Sequence, residues 1–129
     1  MILFILAAGL AAVLAMTLAW AVVKRAGDGG WTDVVWTFSV GVIAGLAALA
    51  PADGAVAGRQ ALVAALIGVW SLRLGTYLAA RTWKAPHPDP RYEKFKAQWR
   101  GWGFKAWAFL QIQAATILVL AISVRAAAI

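Results

Sequence analysis

The chain contains no cysteine and only one histidine in 129 residues. Without thiols it has no disulfide, no cysteine–zinc site and no thiol nucleophile. A single histidine argues against histidine-cluster metal sites and paired haem ligation. Charge is scarce as well. Asp, Glu, Lys and Arg make up 13% of the residues and hydrophobic types 64%, where soluble domains sit near ~25% and ~45–50%. Only five residues are acidic, and the sequence shows no nucleophile–base pair, paired carboxylates or metal-ligand cluster. Alternation of apolar and polar residues, the mark of a membrane strand, is missing too. There is no internal repeat and no low-complexity tail.

What is present is apolar length. A bilayer span needs ~20 mostly apolar residues rising 1.5 Å each, and four stretches qualify: 2–23, 34–50, 60–80 and 106–124. The first lacks a basic leading region and is too long for a signal-peptide core. The second, about 17 residues or ~26 Å, has to stand nearly upright. The expected fold is therefore an all-α integral membrane bundle of four transmembrane helices. It forms a single membrane domain over 1–129, with one sizeable loop at 81–105.

The net charge of +7 is uneven. Loops one and three share a side and carry nine basic residues, against Arg59 and Arg125 on the other. The positive-inside rule places those loops in the cytoplasm and both termini outside.

The third loop reads as a helix start: Asp89 at the N-cap and Pro90 at the first helical position. Tyr92, Phe95, Trp99 and Trp102 then recur at helical spacing, with Arg91, Lys94, Lys96 and Arg100 around them. A basic amphipathic helix with an aromatic face is expected to lie in the membrane interface and meet anionic lipid. The same cations also suit a phosphate-bearing cofactor, whereas nucleic acid is not expected as a partner. Trp31, Trp36, Trp83, Trp99 and Trp102 read as interface-belt residues, and His87 as a solvated loop residue. "GVIAG" and the Gly68, Ser71, Gly75 stripe allow close helix packing.

Arg73 lies inside the third apolar stretch, where a charge costs on the order of 2–3 kcal/mol and usually faces the bundle interior. Trp70 and Tyr77 share its face, while Asp33, Trp36 and Gln111 enter from the same side of the membrane. These residues are expected to form a polar layer, with Asp33 and Arg73 as its ion pair. The plainer alternatives are a snorkelling Arg73 and an Asp33 that caps the second helix.

Four strings carry a family resemblance. "WTDVVWTFSVGVIAGLAAL", "LVAALIGVWSLRLGTYLAARTW", "DPRYEKFKAQW" and "FLQIQAATI" follow one another in order. Together they resemble an uncharacterised bacterial membrane family related to steroid 5-alpha-reductases, with a fold shared with sterol reductases and isoprenylcysteine methyltransferases. The resemblance covers nearly the whole chain. It implies reduction of a conjugated carbon–carbon double bond in a lipid or steroid-like substrate, with NADPH as hydride source. Asp33 and Tyr77 are then the catalytic candidates, and Trp36, Trp70, Arg73 and Gln111 the substrate pocket. Arg81, Asp89, Arg91 and Tyr92 brace a cofactor mouth.

Relatives of this kind are about twice as long and carry an acidic residue where Pro88 stands here. The chain therefore corresponds to their N-terminal half, with most of the NADPH site expected in a C-terminal half or a membrane-protein partner. The competing reading is a non-catalytic four-span protein that binds anionic lipid or a membrane partner through its basic loop.

Overall fold

The computed structural model describes residues 2–129. The described chain is all helix: α1 (Ile2–Ala26), α2 (Trp31–Leu49), α3 (Ala57–Lys84), α4 (Pro90–Trp99) and α5 (Phe104–Ala128). Four of these, α1, α2, α3 and α5, are each long and apolar enough to cross a membrane, and the fold is an all-α membrane bundle. Helices α3 and α5 run beyond both ends of the apolar stretches expected from sequence, and α1 begins where expected and runs three residues further, to Ala26. The amphipathic residues next to each apolar run, such as Trp83 and Lys84, continue the helix at no cost in backbone hydrogen bonding. Helix α2 begins three residues early at Trp31 and ends one early at Leu49.

Local chemistry sets the helix ends. Gly27, at φ +72°, turns the chain out of α1. Pro51 and Pro86 hold the residues before them in extended backbone, which stops α2 at Ala50 and α3 at Ala85. Asp89 caps α4 as its spacing predicts, accepting from the Arg91 amide at 3.0 Å. At the other end of α4, Arg100 is left-handed at φ 58° and the Gly101 amide donates to the Lys96 carbonyl at 2.9 Å. For α2 the expected caps are not used. Its N-cap is Gly30, whose amide donates to the Asp28 carboxylate at 2.8 Å.

The core lies among α1, α2 and α5. Ala12, Met16 and Ala19 meet Val40 and Ala44 of α2 and Leu110, Ala114 and Ile117 of α5. So many alanines bring the backbones close, the mode of association that membrane helices favour. Helix α5 runs antiparallel to α1, with Trp107 Nε1 donating to Thr17 Oγ1 at 3.1 Å.

Helix α3 sits outside this trio and packs mainly on α2. Its contact is made by small residues. The Ser71 hydroxyl donates to the Thr37 carbonyl at 2.9 Å while Ser71 itself rests on Gly41. One turn on, Gly75 leaves room for the Phe38 ring. Only Ser71 and Gly75 of α3 are buried. Gly68, the third member of the stripe, has no neighbour.

At the end remote from α4, side chains cap the carbonyls that α2 leaves unpaired. Arg125 donates to the carbonyls of Ala47, Ala50 and Pro51, and Gln60 to those of Ala48 and Ala50. That clamp fixes α2, and α2 carries Asp33 at its opposite end.

Candidate functional site at the basic end of the bundle

Asp33 lies in the first turn of α2, where a carboxylate is favoured by the helix dipole. Its partners come from α4. Asp33 Oδ2 accepts from Arg91 Nη2 at 2.7 Å, and Oδ1 accepts from the Tyr92 hydroxyl at 3.1 Å. Arg91 also reaches Asp89, through Nε at 3.2 Å and Nη2 at 2.9 Å. One guanidinium thus joins the cap of α4 to the start of α2.

Asp28 locks the same joint from the first loop, its Oδ1 accepting from the Asp89 amide at 2.9 Å as well as from Gly30. Tyr92 lies on Gly29, so closely that a Cβ at that glycine would overlap the Tyr92 side chain. The loop containing α4 is therefore docked on the bundle at three points.

The electrostatics follow from this geometry. Hydrogen bonding from the Arg91 side chain holds the Asp89 carboxyl below its ordinary range, with a further lowering from the charge of Arg81. The bond to Asp89, then that to Asp33, keeps the Arg91 guanidinium charged even more firmly than usual. Burial, reinforced by the negative charge of Asp33, raises the Tyr92 phenol well above its usual value and keeps it a neutral donor.

Beside this joint is a pocket of about 380 Å³ lined by Asp28, Arg81, His87, Asp89 and Arg91, among others. It neighbours an open hollow of about 630 Å³ that shares Asp28, Thr82 and His87 and adds Arg25, Trp31 and Trp83. The two carboxylates in the smaller pocket already accept from backbone amides and Arg91. Arg81 has no ion pair among the described residues. Arg91 leaves Nη1 without a hydrogen bond and its side chain 61% exposed. Arg81 and Nη1 of Arg91 are thus the uncommitted donors of a lining that also holds two carboxylates.

Of the residues expected to form the cofactor mouth, Arg81, Asp89 and Arg91 line this one pocket, and Tyr92 supports it from beneath. The expected polar layer does not form. Arg73 makes no ion pair with Asp33, which is taken by Arg91 and Tyr92. Arg73 and Tyr77 are instead exposed on the outer side of α3, in a furrow of about 620 Å³ with Trp70. Trp70 packs edge to face on Trp36 at 6.4 Å, and Trp36 Nε1 donates to Thr116 Oγ1 at 3.0 Å.

Gln111 is placed apart from this furrow, its side-chain amide buried without a hydrogen-bond partner among the described residues. The aromatic face of α4 is also not turned to lipid. Phe95 stacks on Trp99 at 5.1 Å, and both rings pack on Phe109 of α5. Trp36 and Trp99 thus serve the interior rather than an interface belt, whereas Trp83 is 80% exposed.

Asp28 and Gly29 are the site residues that sequence reasoning missed. Their signal was the run Asp28-Gly29-Gly30, a sequence that suits an aspartate bonding the backbone two residues on. Nothing in it names the second amide, from Asp89.

No curated protein and no solved structure matches the chain. The model of the DUF1295 family, described as a protein of unknown function, matches residues 19–129, and the chain belongs to that family.

Proposed function

We propose that this chain contributes to a membrane-embedded reductase related to the steroid 5-alpha-reductases and supplies part of its cofactor site, with its basic end in the cytoplasm and NADPH as the reductant. The observation that carries the reading is the pocket beside the Asp33–Arg91–Tyr92 joint. Arg81 in its lining has no ion pair among the described residues, Arg91 keeps Nη1 free, and Asp89 and Asp28 accept from Arg91 and from backbone amides.

The pocket fits the anionic part of such a cofactor. Arg81 and Arg91 offer guanidinium donors suited to bidentate phosphate binding, and His87 adds a third group on the same wall. About 380 Å³ is room for the phosphate-bearing portion of the dinucleotide. The adjoining hollow, with Trp31, Trp83 and Arg25, offers aromatic surface for a base. When bound, NADPH supplies a hydride to the substrate's conjugated double bond.

The chain's own residues supply position and charge. Asp33 orients Arg91 and takes the Tyr92 proton donor, so it acts as a positioning residue rather than an acid at the reacting carbon. Asp89 and Asp28 hold the loop in register. Trp36, Trp70 and Arg73 remain the substrate-side candidates, and Tyr77 shares their furrow.

The alternative of a non-catalytic lipid-binding bundle keeps the exposed cations Lys94, Arg100 and Lys105 but loses the aromatic face of α4, which packs on α5. The test is NADPH oxidation by membranes carrying the chain together with the C-terminal half of a longer family member, with a steroid enone as probe substrate. Enone-dependent oxidation that Arg81→Gln abolishes supports the reductase. Oxidation no faster than in membranes lacking the chain contradicts it.

A further inference from the structure

The outer face of α3 carries a charge that the bundle does not neutralise. Arg73 lies in the furrow with Leu66, Val69, Trp70 and Tyr77. It makes no ion pair among the described residues, and α3 itself contains no acidic residue. A lone guanidinium on an apolar, outward-facing helix surface is costly and calls for an anion.

Depth narrows the choice of anion. At 1.5 Å per residue the 28 residues of α3 span ~42 Å, against a hydrocarbon core of ~30 Å. Arg73 is eleven residues, or ~16 Å, from the Lys84 end. With α3 centred on the bilayer, the phospholipid phosphates fall near Trp83 and Lys84 and Arg73 lies well below them. A carboxylate on a single chain has a smaller head than a two-chain phosphodiester, lies nearer the hydrocarbon and has less far to sink to meet it.

The furrow also has a direction. Tyr77 stands one helical turn from Arg73 on the Lys84 side, and together the guanidinium and the phenol bracket a head group. On the far side Trp70, Val69 and Leu66 form an apolar track over seven residues, about 10 Å. Its wall is rigid, because Trp70 rests on Trp36 and Trp36 is hydrogen-bonded to Thr116. The furrow, about 620 Å³, is lined by α3 alone and is open along its length, so a ligand enters it from the side.

We infer that the α3 furrow binds a single-chain amphiphile with a carboxylate head, drawn sideways from the bilayer, with the carboxylate on Arg73 and Tyr77 and the chain along Trp70. Its role as substrate rests on the reductase reading; its binding does not.

The test uses the full chain in nanodiscs of zwitterionic lipid, with bromine-labelled stearate as a quencher of tryptophan emission at a pH where the fatty acid is ionised. Saturable quenching, reduced when Trp70→Phe removes the indole that lines the furrow, is the expected result. Arg73→Gln weakens it about tenfold or more, as loss of a charge-assisted contact requires. Arg73→Lys keeps part of the affinity and controls for folding. The methyl ester of the same probe shows only unsaturable partitioning.

Equal curves for the native chain and Arg73→Gln overturn the inference and leave Arg73 as a snorkelling residue. Displacement of the probe by phosphatidylglycerol more readily than by oleate assigns the furrow to phospholipid and overturns it too. So does a chain dimer that buries the furrow and admits no probe. None of these outcomes bears on NADPH binding, and failure to bind NADPH leaves this site standing.

Discussion

Asp33 and Arg91, 58 residues apart in sequence, meet at 2.7 Å where α2 begins and α4 docks. The contact is half open to solvent, with Arg91 at 61% and Asp33 at 36% exposure. Screening therefore holds its worth to about 1 kcal/mol. Asp33→Asn should raise amide hydrogen exchange across residues 85–103 by about fivefold while α1 and α5 are unchanged. Unaltered exchange in the loop contradicts this docking.

The glycines at close contacts differ sharply in what they tolerate. A methyl group at Gly29 overlaps Tyr92, at Gly41 overlaps Ser71, and at Gly75 comes within 2.6 Å of the Phe38 ring. Each change to alanine should cost about 1–3 kcal/mol, the range for overpacking. Gly68→Ala, which meets nothing, should be neutral or slightly stabilising in a helix. Thermal unfolding of the four variants in one detergent makes the comparison.

Tyr92 gives a pH test at the alkaline end. Tyr77→Phe leaves it the only tyrosine of the two in the chain, so absorbance at high pH reports it alone. Its folded pKa is raised, first by burial and then by Asp33. The stability it contributes is therefore fully present below its ordinary value near ~10 and is lost as the pH rises through the folded value. Ionisation should begin only above the ordinary midpoint and move downward in Asp33→Asn. An ordinary midpoint in the folded chain contradicts the buried, Asp33-bonded phenol.

Asp89 gives the acid-side counterpart. Its folded pKa lies below the ordinary 3.8, so its stabilising effect is present above that value and is lost as the pH falls through the folded one. The loop should stay docked at pH 5 and release only in stronger acid, followed by proteolysis or exchange over residues 85–103. In Asp89→Asn that acid release should be largely absent, because the loop is already loosened. Release between pH 5 and 7 contradicts the assignment.

The helix count and the α4 start at Asp89-Pro90 were legible because each depends on local signals, whereas the grouping of Arg81, Asp89 and Arg91 came from the family resemblance alone. The direction in which Arg73 points was also present in the sequence, but in the wrong residues. Ser71 and Gly75 are small and so claim the contact face of α3, and Arg73, two residues from each, lies ~200° around the helix. Depth brought Asp33 and Arg73 to one level, whereas azimuth separates them.

The α4 aromatics show the complementary limit. Spacing of three and four places Phe95 and Trp99 on one face, but whether that face meets lipid or Phe109 depends on a helix that follows in sequence. Asp28 was missed because one of its two partners, the Asp89 amide, is 61 residues away.

The most direct measurement of the central claim is hydrogen exchange of the full chain in nanodiscs, with NADPH raised from micromolar to millimolar concentration, the range of ordinary enzyme affinities. Saturable protection of residues 81–92, centred on Arg81 and Arg91 and absent in Arg81→Gln, is the expected result. Exchange in that segment that NADPH leaves unchanged throughout the range, while the fold is intact, contradicts the cofactor site.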